Sequence, residues 1–130
     1  MKPKLKSQRV LERVRQLTDE MECRLRDLEF YDRVKVMENN QLAINLEDEA
    51  EQAFRDVEEM FELRKKMSVL INKLSKADYK SVLRMRYFSG HTWKYIAHRL
   101  FYDMRYVYTL HGLALQELDT IMKEDAQNAD

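Results

Sequence analysis

The chain of 130 residues contains only two glycines, Gly90 and Gly112, and one proline, Pro3. Glycine and proline supply the backbone geometry of most tight turns, and β-sandwiches and doubly wound α/β folds need such turns between their elements. A chain with so few of these residues is built from long elements with few joints, and helices are the elements that meet this condition. The sequence therefore predicts an all-α fold.

Apolar residues recur every three or four positions through the first 75 residues, which predicts two long amphipathic helices. The first stripe, over about residues 6–37, comprises Val10, Val14, Leu17, Met21, Leu28 and Tyr31. The second, over about residues 41–75, comprises Leu42, Leu46, Ala50, Ala53, Val57, Met60, Leu63, Met67, Leu70 and Leu74. Asn39-Asn40 is the best break between them, since asparagine tolerates turn geometry. We expect residues 1–75 to form either an intrachain helical hairpin or a coiled coil with a second chain.

The charges are distributed unevenly along a chain whose formal net charge is zero. Residues 76–112 carry seven basic and two acidic residues, a net charge of +5, whereas residues 1–75 carry −1 and residues 113–130 carry −4. A basic segment of this kind is typical of a nucleic-acid-binding surface, and its alternative is a chance excess. Residues 47–62 contain eight acidic residues and one basic residue. This composition fits a solvated helix face, or a surface that repels DNA or binds a basic partner.

Several functional classes lack their sequence signatures. Cys23 is the single cysteine, so no intramolecular disulfide can form, and without a signal-peptide pattern we expect a cytoplasmic protein. No run of about 18 apolar residues is present, so we expect no membrane span. Zinc-binding spacings, a P-loop, a nucleophile elbow and a glycine-rich phosphate site are all missing. We therefore expect no metal, no cofactor, no small-molecule substrate and no enzymatic activity.

Residues 76–122 contain the start and stop signals of three shorter helices. The start signals are Asp78, Thr92 and Asp103, whose side-chain oxygens can cap a helix. The stop signal of the first helix is Ser89-Gly90, because glycine adopts the left-handed conformation that follows many helices. The second helix is predicted from Trp93 to Leu100 and the third from 104 to about 122.

The second and third of these helices have the spacing of a helix-turn-helix, in which the third is the recognition helix. The inward-facing residues are Ile96, Ala97, Leu100, Val107 and Leu110, with Tyr102 filling the turn. The residues predicted to contact base edges in the major groove are Met104, Arg105, Tyr108 and Thr109. The residues predicted to contact DNA phosphates are Lys80, Thr92, Lys94 and Arg99.

Phe101 occupies the turn position at which a helix-turn-helix normally has glycine. A β-carbon is unfavourable at positive φ, so Phe101 costs about 1 kcal/mol if the usual turn geometry is kept. Packing of its ring on the N-terminal helices would offset this cost.

A wider pattern surrounds the helix-turn-helix and begins with an L-x-x-R-Y motif at residues 83–87. Its further members are Gly90, Thr92, Trp93, Ile96, Ala97, Leu100, Tyr102, Val107, Tyr108, Leu110, His111, Gly112, Ala114, Leu115 and Leu118. Over about residues 74–122 this pattern resembles region 4 of sigma-70-type transcription factors. It more closely resembles the sigma-like helix-turn-helix proteins of phages and prophages of Gram-positive bacteria.

The resemblance implies a DNA-binding regulator of the type that controls phage late genes. In region 4 the start of the recognition helix reads the promoter −35 element, and the matching positions here are Met104, Arg105 and Thr109. Region 4 also docks on RNA polymerase, which is thus an implied partner. No counterpart of the sigma regions for core binding and promoter melting is evident in residues 1–75, so we do not expect a complete sigma factor.

The sequence therefore predicts three segments: helices for dimerisation or partner docking over 1–75, a DNA-binding module over 76–122, and a disordered acidic tail over 123–130. The predicted function is a phage- or prophage-encoded transcriptional regulator that binds double-stranded DNA in the bacterial cytoplasm. We expect a homodimer, because many regulators read two half-sites. The alternative is a protein-interaction module that keeps the fold and sequesters or modulates a bacterial host protein without binding DNA.

Overall fold

The computed structural model describes the backbone of residues 3–35 and 40–128, and the side chains of residues 3–33 and 47–128. These ranges contain α1 (Lys6–Lys35), α2 (Asn40–Ile71), α3 (Ala77–Leu83), α4 (Trp93–Leu100) and α5 (Met104–Asn128). No strand occurs in them, so the all-α prediction is confirmed. Asn39 of the predicted break lies outside the described residues. None of the described helices combines the length and the apolar composition that a membrane span requires.

The chain forms two compact units whose boundaries differ from the predicted boundary at residue 75. Unit 1 comprises residues 1–15 and 64–130, and unit 2 comprises residues 16–63. The start of α1 and the end of α2 belong to unit 1 because their apolar residues are buried there: Leu11, Val14, Leu70 and Ile71 are at most 3% exposed. The DNA-binding module predicted over 76–122 is thus only part of a larger unit.

Every helical segment of unit 1 contributes side chains to one core. The apolar residues that are at most 1% exposed are Leu11, Val14, Met67, Ile71, Val82, Leu83, Ile96, Val107, Ala114 and Leu118. Burying a side chain of this size contributes roughly 1.5–3 kcal/mol. The core therefore fixes α4 and the first half of α5 relative to α3, to the start of α1 and to the end of α2.

Two carboxylates of α5 hold other parts of unit 1 in place. Asp119 accepts a hydrogen bond from the backbone N–H of Ser7 at the start of α1, and the Ser7 hydroxyl donates to the carbonyl of Leu115. Glu117 accepts from both the backbone N–H and the hydroxyl of Ser75, just after α2. The start of α1 and the end of α2 are thus attached to the C-terminal half of α5.

A π-helical turn, Arg84–Phe88, continues α3. The backbone N–H of Ser89 donates to the carbonyl of Arg84, five residues earlier, at 3.0 Å. This wider turn buries both Tyr87 and Phe88, and Gly90 then ends the segment with φ +72°. Ser89-Gly90 thus ends this helical segment, as the sequence predicts.

The end of α5 departs from the prediction, since the helix continues to Asn128 rather than ending near residue 122. Residues 123–128 are helical, so the predicted disorder is wrong for this part of the tail, and residues 129–130 lie outside the described residues. Ile121 and Met122 remain half-buried, and Lys123 forms an ion pair with Asp119 at 3.3 Å. Beyond them, Ala126 and Gln127 have high helix propensity.

Unit 2 consists of segments of α1 and α2 that run antiparallel to each other. Arg24 pairs with Asp56 at 3.7 Å, and the Tyr31 hydroxyl donates to Glu49 at 3.3 Å. Residue numbers therefore increase along α1 in the direction in which they decrease along α2. Among the described side chains of this unit, only Ala53 is fully buried, so the described part of the unit has a small core.

Candidate nucleic-acid interface

The geometry between α4 and α5 is set by three local hydrogen-bonding features. The Thr92 side chain accepts from the backbone N–H of Tyr95 at 3.1 Å and caps α4. The backbone N–H of Tyr102 donates to the carbonyl of Ala97 at 3.0 Å, and that of Phe101 donates to His98, which together form a Schellman motif. The Asp103 side chain accepts from the backbone N–H of Tyr106 at 2.7 Å and caps α5. The predicted caps at Thr92 and Asp103 are confirmed.

Phe101 has the left-handed conformation that the turn demands, with φ 61°. It is the single non-glycine residue with positive φ in the described part of the chain. Its side chain is 93% exposed, so the ring lacks the packing that would offset the cost of this conformation. The conformational cost of about 1 kcal/mol is therefore not offset by burial of the ring.

The sequence predicts that Asp78 caps α3, and this prediction is wrong. The N-cap residue is Lys76, which makes no side-chain capping bond, and Asp78 lies within the first turn. Its carboxylate instead accepts a hydrogen bond of 2.7 Å from the hydroxyl of Tyr102, and this bond raises the pKa of Tyr102. Asp78 thus ties α3 to the turn that precedes α5.

The first half of α5 has one buried and one exposed side. Val107 and Leu110 are 0% and 4% exposed, whereas Met104 and Tyr108 are 40% and 47% exposed. Arg105 and Thr109 are also exposed, and the Thr109 hydroxyl donates to the carbonyl of Arg105 at 3.2 Å. The four residues predicted to read bases thus lie on adjacent turns of one helix, with their side chains accessible.

The residues predicted to contact phosphates are more dispersed. Thr92 and Lys94 lie at the start of α4 and Arg99 near its end, and all three are exposed. Lys94 and Arg99 are separated by about 140° around the helix, so they do not share a face. Lys80 lies on α3 and is half-buried. The Thr92 hydroxyl still has a hydrogen to donate, because its capping bond uses the oxygen as acceptor.

Aromatic residues of α4 and α5 form a cluster with Arg86, and of its members only Tyr108 is predicted from the sequence as part of the interface. The Arg86 guanidinium lies 4.4 Å from the centre of the Trp93 ring. Trp93 makes edge contacts with Tyr108 at 5.3 Å and with His111 at 4.6 Å between ring centres. The Tyr108 ring thus packs against Trp93, and the Arg86 guanidinium contacts the same Trp93 ring. The sequence shows that aromatic residues are frequent here, but their pairing depends on helix packing.

Two titratable members of this region are neutral at pH 7. Burial and the charge of Arg86 lower the pKa of His111 to about 4. Burial raises the pKa of Tyr87 to about 12. Their side chains are joined by a hydrogen bond of 2.7 Å between the Tyr87 hydroxyl and His111 Nε2. The cluster therefore contributes the positive charge of Arg86 and no charge from these two groups.

The two compact units have opposite net charges. Unit 1 contains 18 basic and 8 acidic residues, a net charge of +10, and unit 2 contains 5 basic and 15 acidic residues, a net charge of −10. The net charge of zero thus conceals a separation of charge between the two units. This separation is larger than the net charges of −1, +5 and −4 that the three sequence segments carry. The exposed side of α5 belongs to the basic unit.

Comparison with known proteins places the chain in a family. No curated protein and no solved structure matches it significantly. Residues 37–119, more than half of the chain, match the profile of a family described as a protein of unknown function, DUF1492. The match includes α3, α4 and the part of α5 that carries the exposed residues, and the chain therefore belongs to the DUF1492 family.

Proposed function

We propose that this protein is a phage- or prophage-type transcriptional regulator that binds duplex DNA in the major groove with the first half of α5. The observation that carries the proposal is the division of α5 into a buried side, with Val107 and Leu110, and an exposed side, with Arg105 and Thr109. The exposed side belongs to a unit with a net charge of +10.

The exposed side chains have the chemistry of direct base recognition. The major groove admits one α-helix. Arg105 can donate two hydrogen bonds to a guanine, and Thr109 can contact a base edge or a thymine methyl group. Met104 and Tyr108 supply apolar contacts, and Tyr108 is positioned by Trp93.

Phosphate contacts from Lys80, Thr92, Lys94 and Arg99 orient the module and supply affinity that does not depend on sequence. The sigma-like pattern further supports RNA polymerase as a second partner in the bacterial cytoplasm. The small core in the described part of unit 2 supports a homodimer, because a second copy would bury side chains that are exposed there.

The decisive experiment is enrichment of duplexes by the full-length protein from a random-sequence library and from phage genomic fragments. The enriched duplex is then labelled and titrated at about 50 mM and 200 mM salt. We expect a sequence preference and an affinity that falls steeply with salt. Absence of binding even at the lower salt concentration would overturn the proposal.

A second candidate function is a protein-interaction module, and the surface of unit 2 favours it. This unit has a net charge of −10. Phe54 and Phe61 are each 56% exposed, and with Glu58 they follow the i, i+4, i+7 spacing of one helix face. Exposed aromatic rings among carboxylates fit a partner with a basic, amphipathic surface.

Capture from bacterial lysate with the full-length protein distinguishes the two candidates. The second predicts a stoichiometric protein partner that is retained after nuclease treatment and lost when Glu58 and Glu62 are changed to glutamine. The matched control changes Glu124 and Asp125 of unit 1 to their amides and should retain the partner. A partner that disappears with nuclease would count against this candidate.

A further inference from the structure

Phe101 combines two unfavourable properties in the turn before α5. Its backbone is left-handed, with φ 61°, and its ring is 93% exposed. The chain also has a left-handed residue before α4, at φ +72°, and there it uses Gly90. Glycine at position 101 would make the same Schellman bonds without the conformational strain.

The Phe101 ring makes no visible contribution to the stability of the fold. A side chain that is 93% exposed loses almost none of its water-accessible surface on folding, so burial does not stabilise it. The turn requires this backbone geometry, but it does not require a residue that is strained by it, so the choice of phenylalanine over glycine points to a role outside the folding of the chain. An exposed aromatic residue is the type of side chain that often anchors a complex.

The surroundings of Phe101 indicate an anionic partner. Residues 93–105 contain three basic residues, Lys94, Arg99 and Arg105, and one acidic residue, Asp103. The Asp103 carboxylate caps α5, so part of its charge is balanced by the helix dipole. Phe101 lies two residues after Arg99 and three before Met104, between the residues proposed to contact phosphates and those proposed to contact bases.

We propose that Phe101 is a DNA-contact residue whose ring packs against deoxyribose and base surfaces beside the site occupied by α5. This inference rests on the proposed DNA-binding function. Its contribution is apolar, so it adds affinity without neutralising a phosphate.

The test uses the full-length protein and the labelled duplex that the wild type enriches from the random library. Phe101→Ala removes the ring and keeps a β-carbon, whereas Phe101→Gly removes the ring and the strain. Both variants should bind about tenfold more weakly, the size of one aromatic contact with a base. The slope of affinity against salt concentration should stay unchanged, because no cation is lost.

Two further variants make the result specific. Phe101→Tyr keeps the aromatic surface and should restore most of the affinity. Val69→Ala removes apolar surface from a side chain that is 52% exposed near the end of α2, away from the proposed DNA contacts, and should bind as the wild type does. Thermal unfolding of each variant shows that the fold is kept.

Unchanged DNA affinity in both Phe101→Ala and Phe101→Gly would overturn the inference while the proposed function stands. A loss confined to Phe101→Gly would also overturn it, since backbone rigidity rather than the ring would then be responsible. If the same variants bind DNA normally but lose a captured protein, Phe101 is a protein contact and the inference is wrong. If the wild-type protein enriches no duplex, the proposed DNA-binding function is refuted, and the inference about Phe101 is refuted with it.

Discussion

The side-chain carboxylate of Asp119 accepts a hydrogen bond of 3.1 Å from the backbone N–H of Ser7, which lies 112 positions earlier in the chain. Ser7 is 0% exposed and Asp119 is 7% exposed. N–H groups in the first turn of a helix have no partner within that helix. Asp119 of α5 thus caps the start of α1 from another helix.

Replacing this carboxylate should destabilise unit 1. Asp119→Ala leaves a buried N–H group without an acceptor, which we expect to lower the free energy of unfolding by about 1–3 kcal/mol. Asp119→Asn retains one acceptor oxygen and should have a smaller effect. Urea denaturation followed by circular dichroism measures both, with the exposed Glu124→Gln as the control. A cost for Asp119→Ala no larger than that of the control would contradict this role.

His111 should make stability depend on pH. In the unfolded chain its imidazole takes up a proton near the ordinary pKa of 6.5, whereas in the folded chain burial keeps it neutral until the pH approaches 4. As the pH falls through this window the unfolded state binds more protons, so the free energy of unfolding decreases. We expect a decrease of up to about 3 kcal/mol between pH 7 and pH 4 from this group.

The control for His111 is the His111→Gln variant, which has no titrating group at this position and retains a partner for the Tyr87 hydroxyl. Urea denaturation at a series of pH values compares the two proteins. The wild type should lose stability more steeply than the variant between pH 6.5 and pH 4. Parallel profiles would contradict the low pKa of His111.

Arg105 should determine sequence preference. Arg105→Ala is expected to cost about 1–3 kcal/mol on the enriched duplex and less on a scrambled duplex. Arg105→Lys keeps the charge but loses the paired donors that match a guanine, so it should retain the salt dependence and lose discrimination. Fluorescence anisotropy with the two duplexes measures the difference. Equal losses on both duplexes would argue against base recognition.

Lys94 and Arg99 should contribute to the affinity for DNA without contributing to its sequence preference. Changing either residue to glutamine is expected to weaken binding to every duplex and to reduce the salt slope by about 1. Lys123 is also exposed but lies near the end of α5, so Lys123→Gln should leave the slope unchanged. An altered preference among sequences in the Lys94 or Arg99 variants would contradict a phosphate-only role.

Phe101 should limit the stability of the turn. Phe101→Gly removes the strain of a left-handed residue, although glycine also gains freedom in the unfolded chain. We expect a net gain of about 0.5–1 kcal/mol in the free energy of unfolding. Gly90→Ala is the reverse change, at φ +72° and with Arg15 Nη1 only 3.1 Å from the added carbon, and should destabilise. A loss of stability in Phe101→Gly would show that the ring supports the fold.

Features encoded by neighbouring residues could be predicted from the sequence. Thr92 and Asp103 cap the helices that follow them, and Gly90 is left-handed, because each of these geometries depends on a few adjacent positions. The alternation of Val107 and Leu110 with Arg105 and Thr109 is likewise a property of a single helix. Local chemistry therefore determines most of the secondary structure.

Pairings between distant residues could not be predicted. An apolar stripe shows that Leu11 and Val14 need burial, but not that the end of α2 and the C-terminal half of α5 belong to the same unit. Asp78 has the chemistry of a cap and also that of a partner for Tyr102, and only packing decides between them. The support of Tyr108 by Trp93 and Arg86 has the same origin.

The chain leaves unit 1 after Arg15 and returns to it at Arg64. The intervening stretch therefore has the topology of an insertion in a domain assembled from both chain ends. Whole heptads can be added to or deleted from its two helices together without altering a residue of the unit 1 core. We expect members of the family to vary in length there. A transfer of unit 1 between relatives must therefore include residues 1–15 together with residues 64–130.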